Sequence, residues 1–163
     1  MSPDEVFVVR LVEALEAAGL DYVIVGMAAA SLQGVPVMTQ DVDILVRDTS
    51  LNRDRLARLA ALIGSARPMA VSELTTTVTL IGAEIPVDVL FDRLPGARSF
   101  EGVRARSVIV SLGNIAAVVA SLDDVIASKE AVGRPKDLAH LQILRDTQRI
   151  RAALDLGNSG PPY

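Results

Sequence analysis

The sequence predicts an α+β fold, in which a mixed β-sheet is flanked by helices and followed by a C-terminal helical appendage. Two observations predict this class. Short apolar runs rich in β-branched residues, typical of buried strands, alternate with stretches of helical period through most of the chain. The last part of the chain carries helical patterns alone. We therefore expect a sheet-containing core at 1–120, a helical segment at 121–156 and a flexible tail at 157–163.

The elements of the N-terminal half follow from the spacing of apolar residues and from residues that begin or end helices. The predicted order is a helix at 4–18, a strand at 21–26, a helix at 27–34, a strand at 41–46 and a helix that begins at Ser50. Gly19 fits a helix C-cap, and Ser50 fits an N-cap. The apolar face of the third helix is predicted to consist of Leu56, Leu59, Ala60 and Ile63.

The C-terminal half is predicted to contain two pairs of strands and then two helices. The strands are 75–82 and 85–92 around a Gly-Ala-Glu connection, and 104–111 and 115–121 around Leu-Gly-Asn. The first pair suggests a hairpin. The helix at 121–133 opens on a Ser-x-x-Asp capping pattern and closes on Gly133. The helix at 134–154 has Pro135 in its first turn.

Composition narrows the class of protein. A chain of 163 residues suits one domain with a single core, and with only 3% aromatic residues that core must consist mainly of Val, Leu, Ile and Ala. The net charge of −4 gives no strong field for binding a polyanion. The absence of cysteine excludes disulfides and thiol catalysis. The acidic N-terminus and the short, interrupted apolar runs predict a cytoplasmic protein with no membrane span.

Two aspartates at the start of a buried strand need an explanation. In Gln-Asp-Val-Asp-Ile-Leu-Val, Asp41 and Asp43 lie two residues apart, and alternate strand residues share a face. Two rises of about 3.3 Å bring their roots close enough for both carboxylates to reach one cation. Like charges so near each other raise each other's pKa unless a cation neutralises them. Hard oxygen ligands of this kind favour Mg²⁺, which also binds substrate phosphates.

A second apolar strand carries a lone acid in the same style, with Asp88 between Val87 and Val89. If this strand lies beside 41–46, Asp88 joins the pair, and three carboxylates can clamp two metal ions. Upstream, a strand leads through Gly26 into a helix start, where backbone N–H groups and the helix dipole favour phosphate. A phosphate cradle beside a metal clamp indicates a nucleoside triphosphate.

These pieces and their spacing resemble the DNA polymerase beta-like nucleotidyltransferase superfamily. They are Gly26-Met27, thirteen intervening residues, Asp41-Val42-Asp43-Ile44, and Asp88 on a later strand. The stretch Ser-Lys-Glu-Ala-Val-Gly-Arg-Pro-Lys-Asp-Leu resembles the branch that contains the abortive-infection type IV toxin nucleotidyltransferases. The resemblance spans roughly residues 20–145.

The resemblance implies transfer of a nucleoside monophosphate from a triphosphate to an acceptor, with two Mg²⁺ ions and loss of pyrophosphate. Asp41 and Asp43 would bind both ions, and Asp88 would bind the catalytic ion and help to deprotonate the acceptor. Lys129 would contact the triphosphate, and Asp137 would position Lys129 or act as an additional base. The implied acceptors are RNA, such as the end of a transfer RNA, or a protein side chain. The resemblance to the toxin branch also implies a toxin–antitoxin setting with an antitoxin partner. A small molecule such as an aminoglycoside is a further acceptor.

The nucleotide contacts implied by the resemblance include Gly26, Met27, Lys129 and Arg134, the last if the site extends to it. At Met27 the family pattern has Gly or Ser, and a thioether cannot donate a hydrogen bond to phosphate. This departure supports an alternative function, a catalytically impaired nucleotide-binding or protein-interaction module on the same fold. A third hypothesis is a dimerising protein whose acids are structural.

Simpler roles remain open for single residues. Asp41 can start a strand, Asp43 can be a satisfied buried acid, and Asp88 can face solvent. Asp137 also fits the third position of its helix, where a carboxylate caps free N–H groups. His140 is interpreted as a surface or structural residue. Four arginines are interpreted as a solvated loop rather than a nucleic acid contact: Arg93, Arg98, Arg104 and Arg106.

Overall fold

The structure, a computed structural model of the chain, describes residues 1–65 and 76–158. Its elements in chain order are α1 (Pro3–Ala18), β1 (Tyr22–Val25), α2 (Gly26–Leu32), β2 (Val42–Val46), α3 (Ser50–Leu62), β3 (Thr77–Leu80), β4 (Val87–Phe91), β5 (Arg93–Leu94), β6 (Arg98–Ser99), α4 (Phe100–Ala105), β7 (Val108–Leu112), β8 (Ile115–Val119), α5 (Leu122–Val132) and α6 (Pro135–Asn158). Thr75, the first residue of a predicted strand, and the last five residues lie outside the described part.

The main sheet has six strands in the order β3-β4-β2-β1-β8-β7. The pairs β2–β4 and β1–β8 are parallel, and the other neighbouring pairs are antiparallel. The sheet is therefore mixed, and the predicted α+β class is confirmed. The predicted hairpin is also confirmed, because β3 and β4 pair antiparallel with Val78 opposite Val89.

The core is aliphatic, as the composition predicts. All four residues of β1 are buried, so this central strand is covered on both faces. Helix α1 buries seven residues, among them Leu11 and Leu15, and ends at Gly19 in the left-handed conformation. The four residues predicted for the apolar face of α3 are all buried: Leu56, Leu59, Ala60 and Ile63.

Helix α5 is capped at both ends by the predicted residues. The Ser121 hydroxyl accepts a hydrogen bond from the Asp124 N–H, and α5 ends at Gly133 with φ of 65°. Helix α5 packs against α2 and α6, which brings its last turn towards the sheet. Among the helices of residues 1–65 and 76–158, none has both the length and the apolar character that crossing a membrane requires.

Two local predictions were wrong, one element was not predicted, and one helix end differs. Residues Arg104 and Ala105, assigned to a strand, lie in α4, a short helix capped by the Ser99 side chain. The two-stranded ribbon β5–β6 was not predicted, because its strands have two residues each. The N-cap of α3 is Thr49, whose side chain accepts from the Asn52 N–H, and Ser50 is the first helical residue. Helix α6 continues to Asn158, two residues into the predicted tail.

Candidate functional site

The three aspartates singled out in the sequence lie together at the N-terminal ends of β2 and β4. These strands are parallel neighbours, and their register places Asp43 directly opposite Asp88. Asp41 comes just before β2. One carboxylate oxygen from each of the three residues lies within 4.8 Å of the other two. The condition for a three-carboxylate cluster, that the two strands be adjacent, is met.

A cavity of about 220 Å³ opens beside this cluster. The sheet contributes Gly26, Asp43 and Asp88 to its wall, and the C-terminal helices contribute Lys129 and Asp137. Segments separated by more than a hundred residues in sequence therefore meet at one polar surface. The cavity also has an apolar lining, which includes Leu90, Leu94, Pro95 and Val132.

Gly26 allows the closest approach within the site. Its φ of 65° is in the left-handed region, which glycine adopts without a steric penalty. A Cβ atom at this position would lie 2.5 Å from Oδ2 of Asp43, too close for any side chain. The glycine therefore leaves room for the Asp43 carboxylate at the point where β1 passes into α2.

The charge of Asp43 is poorly compensated. Burial is the main cause that raises its pKa to about 7, and the carboxylates of Asp41 and Asp88 raise it further. A hydrogen bond between Asp43 and Asp88 acts in the same direction, and the positive charge of Lys129 only partly opposes these effects. A divalent cation would remove this repulsion, because it favours the ionised form of every carboxylate it contacts.

Lys129 and Arg134 are held at the cavity by a buried acid. Asp137 is fully buried, and its Oδ1 lies 3.1 Å from Nζ of Lys129, which is 15% exposed. Its Oδ2 accepts from Nε of Arg134 at 2.8 Å and from the Arg134 backbone N–H at 3.1 Å. The Arg134 guanidinium, followed by Lys129, holds the pKa of Asp137 well below its usual range. Asp137 therefore stays ionised and fixes two cationic groups beside the acid cluster.

A polar residue beside the acid cluster was missed in the sequence, as were Thr77 and Ser128, which line the cavity. Thr79 on β3 lies opposite Asp88, and its hydroxyl donates a hydrogen bond of 2.5 Å to Oδ1 of Asp88. The run Thr-Thr-Thr-Val-Thr has several hydroxyls, and only the hairpin register decides which one meets the acid. Alternation along the strand, with Val78 buried, was the available signal.

Other candidate residues lie outside the acid cluster. Met27 is partly buried against the hydrophobic core and is not one of the described residues around the cavity. Its contact with a nucleotide stays a prediction. His140 has a buried Nδ1 with no hydrogen-bond partner among the described residues, and burial lowers its pKa.

The arginines of the segment before β7 are largely engaged within the protein. Arg98 and Arg106 form ion pairs with buried Asp124 at 2.7 and 3.0 Å. Arg104 lies 3.4 Å from Asp21. The predicted solvated loop is therefore wrong for these three arginines, since Arg98 lies in β6, Arg104 in α4 and Arg106 directly after it.

The donor set fits divalent metal ions with hard-ligand preferences. Three carboxylates offer oxygen donors within a few ångströms. Burial, followed by the charges of Asp41 and Asp88, raises the pKa of Asp43, and a bound cation would favour the ionised form instead. The cavity that Lys129 lines has space for a polyanionic ligand next to those ions.

Comparison with known proteins places the chain by its fold. No protein-family model matches the sequence, and no curated protein matches it. A candidate nucleotidyltransferase from Thermotoga maritima superposes with a TM-score of 0.61 at 19% identity, over 95% of each chain. The antibiotic-resistance factor ANT(2″)-Ia in solution gives 0.56 at 15% identity, over 95% of this chain and 96% of that one. Its crystal structure with adenylyl-2″-tobramycin gives 0.62 at 13% identity, over 96% and 99%. The chain therefore has the fold of nucleotidyltransferases.

Proposed function

We propose that this protein is a metal-dependent nucleotidyltransferase that moves a nucleoside monophosphate from a nucleoside triphosphate to an acceptor. The cluster of Asp41, Asp43 and Asp88, of which the last two line a cavity that also contains Lys129, carries this proposal. Its support is geometric, since carboxylates for metal ions and a cation for phosphate lie side by side. The likeness to nucleotidyltransferases in fold agrees with it.

In this proposal, Asp41 and Asp43 hold both ions and Asp88 holds the catalytic one. Divalent ions bound there would supply charge neutralisation at the phosphates and activation of the attacking oxygen. Asp88 accepts the proton of the acceptor hydroxyl and then passes it to solvent. Because Gly26 has no side chain, the Asp43 carboxylate can lie directly against the backbone at this position.

Lys129 and Arg134 bind the triphosphate. Asp137 fixes the position of Nζ of Lys129, so the ammonium group loses little conformational freedom when the ligand arrives. Positioning and charge stabilisation account for most of the catalysis in phosphoryl transfer, and no protein nucleophile is needed. Met27 offers only its backbone N–H to the phosphates.

The proposed acceptor is RNA, such as the end of a transfer RNA, or a protein side chain, and a toxin role with an antitoxin partner follows from the same sequence resemblance. A small-molecule acceptor is an outcome of the same test, since a structure of ANT(2″)-Ia contains adenylyl-2″-tobramycin.

Labelled triphosphates test the proposal. Each of the four α-labelled triphosphates is incubated with Mg²⁺, the protein and one acceptor class: total RNA, lysate protein or aminoglycosides. We expect transfer to fall at least about 100-fold in Asp43→Asn, because the metal ions supply several kcal/mol of transition-state stabilisation. Asp54→Asn, an acid on the exposed side of α3, is the matched control and should retain full transfer.

The outcomes separate the alternatives. Transfer that is equal in wild type and Asp43→Asn would show that the proposed site is wrong. Triphosphate binding that needs Mg²⁺ and Asp43, without transfer to any acceptor, would favour the catalytically impaired module. The labelled product identifies the acceptor class directly.

A further inference from the structure

The hydrogen bond from Thr79 to Asp88 joins the edge strand of the main sheet, β3, to its neighbour β4. Strand β3 is the outermost strand on this side, and Thr79 is the antiparallel partner of Asp88 on β4. Side chains of directly opposed residues lie on the same face with their Cβ atoms about 5 Å apart. The Thr79 hydroxyl uses this proximity to donate to Oδ1 of Asp88 at 2.5 Å.

This bond leaves one oxygen of Asp88 committed and the other available. Asp88 lies between Thr79 on β3 and Asp43 on β2, which is its parallel neighbour. Asp43 shares a hydrogen bond with Asp88 on one side, and the Thr79 hydroxyl donates to Asp88 from the other. The bond from Thr79 restricts rotation of the Asp88 carboxylate, which therefore keeps one orientation beside Asp43 when a cation replaces the shared proton.

We propose that Thr79 is a positioning residue that orients the Asp88 carboxylate for binding of a divalent cation. The inference rests on the proposed function, since it assigns a role within the same metal site. Hydrogen-bond partners of metal ligands fix the orientation of those ligands, and their removal typically weakens metal binding about 10- to 100-fold.

A purely structural role for Thr79 predicts a different pattern. The side chain is exposed, so its hydroxyl can bond to water when Asp88 is absent, and the hydrogen bond itself adds little to folding. A structural role would come from strand formation, in which β-branched Val is at least as favourable as Thr, and Ser is less so. Positioning of Asp88 instead requires the hydroxyl, which Ser retains and Val lacks. The two roles therefore rank the variants in opposite orders.

Mn²⁺ binding in the absence of nucleotide tests the inference. Affinity is measured by calorimetry, or by the free-ion signal in electron paramagnetic resonance, for wild type, Thr79→Val and Thr79→Ser. Thr147→Val is the matched control, because its hydroxyl donates to the Ile143 carbonyl within α6, away from the site. We expect Thr79→Val to weaken binding about 10- to 100-fold and Thr79→Ser to restore it to within about threefold of wild type. Thr147→Val should match wild type.

Asp43→Asn, measured alongside, separates this inference from the proposed function. Wild-type binding that depends on Asp43 and is unchanged in Thr79→Val would overturn the role of Thr79 alone. Weaker binding in Thr79→Ser than in Thr79→Val would also overturn it, in favour of strand formation. Wild-type affinity that is unchanged by Asp43→Asn would overturn both the metal site and the role of Thr79. Metal-free thermal unfolding of each variant confirms that the protein measured is folded.

Discussion

At the scale of single residues, the site depends on one missing side chain. Gly26 has a φ of 65° and its Cβ position lies 2.5 Å from Oδ2 of Asp43. Gly64 has a φ of 70°, but no atom of residues 1–65 and 76–158 lies within 4 Å of its Cβ position. The two glycines therefore separate the cost of the backbone conformation from the cost of crowding the acid.

We predict that Gly26→Ala lowers the free energy of unfolding more than Gly64→Ala does. The left-handed conformation costs each alanine about 1–2 kcal/mol, and Gly26→Ala adds the displacement of the Asp43 carboxylate. Urea denaturation in EDTA measures stability, and Mn²⁺ titration measures the site. Gly26→Ala should also lose Mn²⁺ affinity, whereas Gly64→Ala should keep it. Equal metal affinity in the two variants would show that Asp43 can move without harm.

Single residues also show how far sequence reasoning reaches. The period of two along a strand placed Asp41 and Asp43 on one face, and the lone Asp88 in an apolar strand suggested a third member. Thr79 could not be identified this way, because its role depends on which residue faces it across the hairpin. The ligand roles of the three aspartates and the positioning role of Thr79 are predictions that metal binding tests.

At the scale of elements, one buried acid of α5 forms ion pairs with the segment that contributes Leu94 to the cavity lining. Asp124 is fully buried near the start of α5 and pairs with Arg98 of β6 and with Arg106 just after α4. Ribbon β5–β6 carries Leu94 and is followed closely by α4, so Asp124 anchors the segment that closes one side of the cavity.

We predict that Asp124→Asn lowers the free energy of unfolding by about 1.5–3 kcal/mol, because the buried carboxylate loses its charge-assisted hydrogen bonds from Arg98 and Arg106. Asp123→Asn is the matched control, since Asp123 is also in the first turn of α5 but is exposed. It shares the loss of charge at the helix N-terminus, which is worth less than about 1 kcal/mol. Chemical denaturation of both variants gives the difference. Equal losses would mean that the Arg98 and Arg106 pairs contribute nothing beyond the helix dipole.

The elements differ in how well the sequence predicts them. Helix α5 has a Ser cap, a helical period and a terminal glycine, so several local signals agree. Helix α4 has six residues and ends in Arg-Ala, and its neighbouring valines favoured a strand when read without the Ser99 cap. The long-range ion pairs to Asp124 left no pattern in sequence, because their partners lie 18 and 26 residues away.

At the scale of the whole molecule, metal and pH act on the same balance of charge. Without a cation, the pKa of Asp43 is raised to about 7, well above its value of 3.8 in an unfolded chain. Between these two pH values the folded protein binds more protons than the unfolded one. The free energy of unfolding therefore falls as pH rises through this window and is level above it. Asp137 has a lowered pKa, so its contribution is lost only in acid, below the window of Asp43.

We predict that Asp43→Asn gains stability relative to wild type by about 1–3 kcal/mol between pH 4 and pH 8 in EDTA. The lowered pKa of His140 gives a slope of opposite sign below about pH 6.5, but it is common to both proteins and cancels in the difference. Saturating Mg²⁺ should stabilise wild type and not the variant, because only the folded wild type binds the ions at this site. Urea denaturation at a series of pH values, with EDTA or Mg²⁺, measures both effects. A difference between the two proteins that is flat from pH 4 to pH 8 would mean that Asp43 is ionised throughout, and that the acid cluster is neutralised by the protein itself.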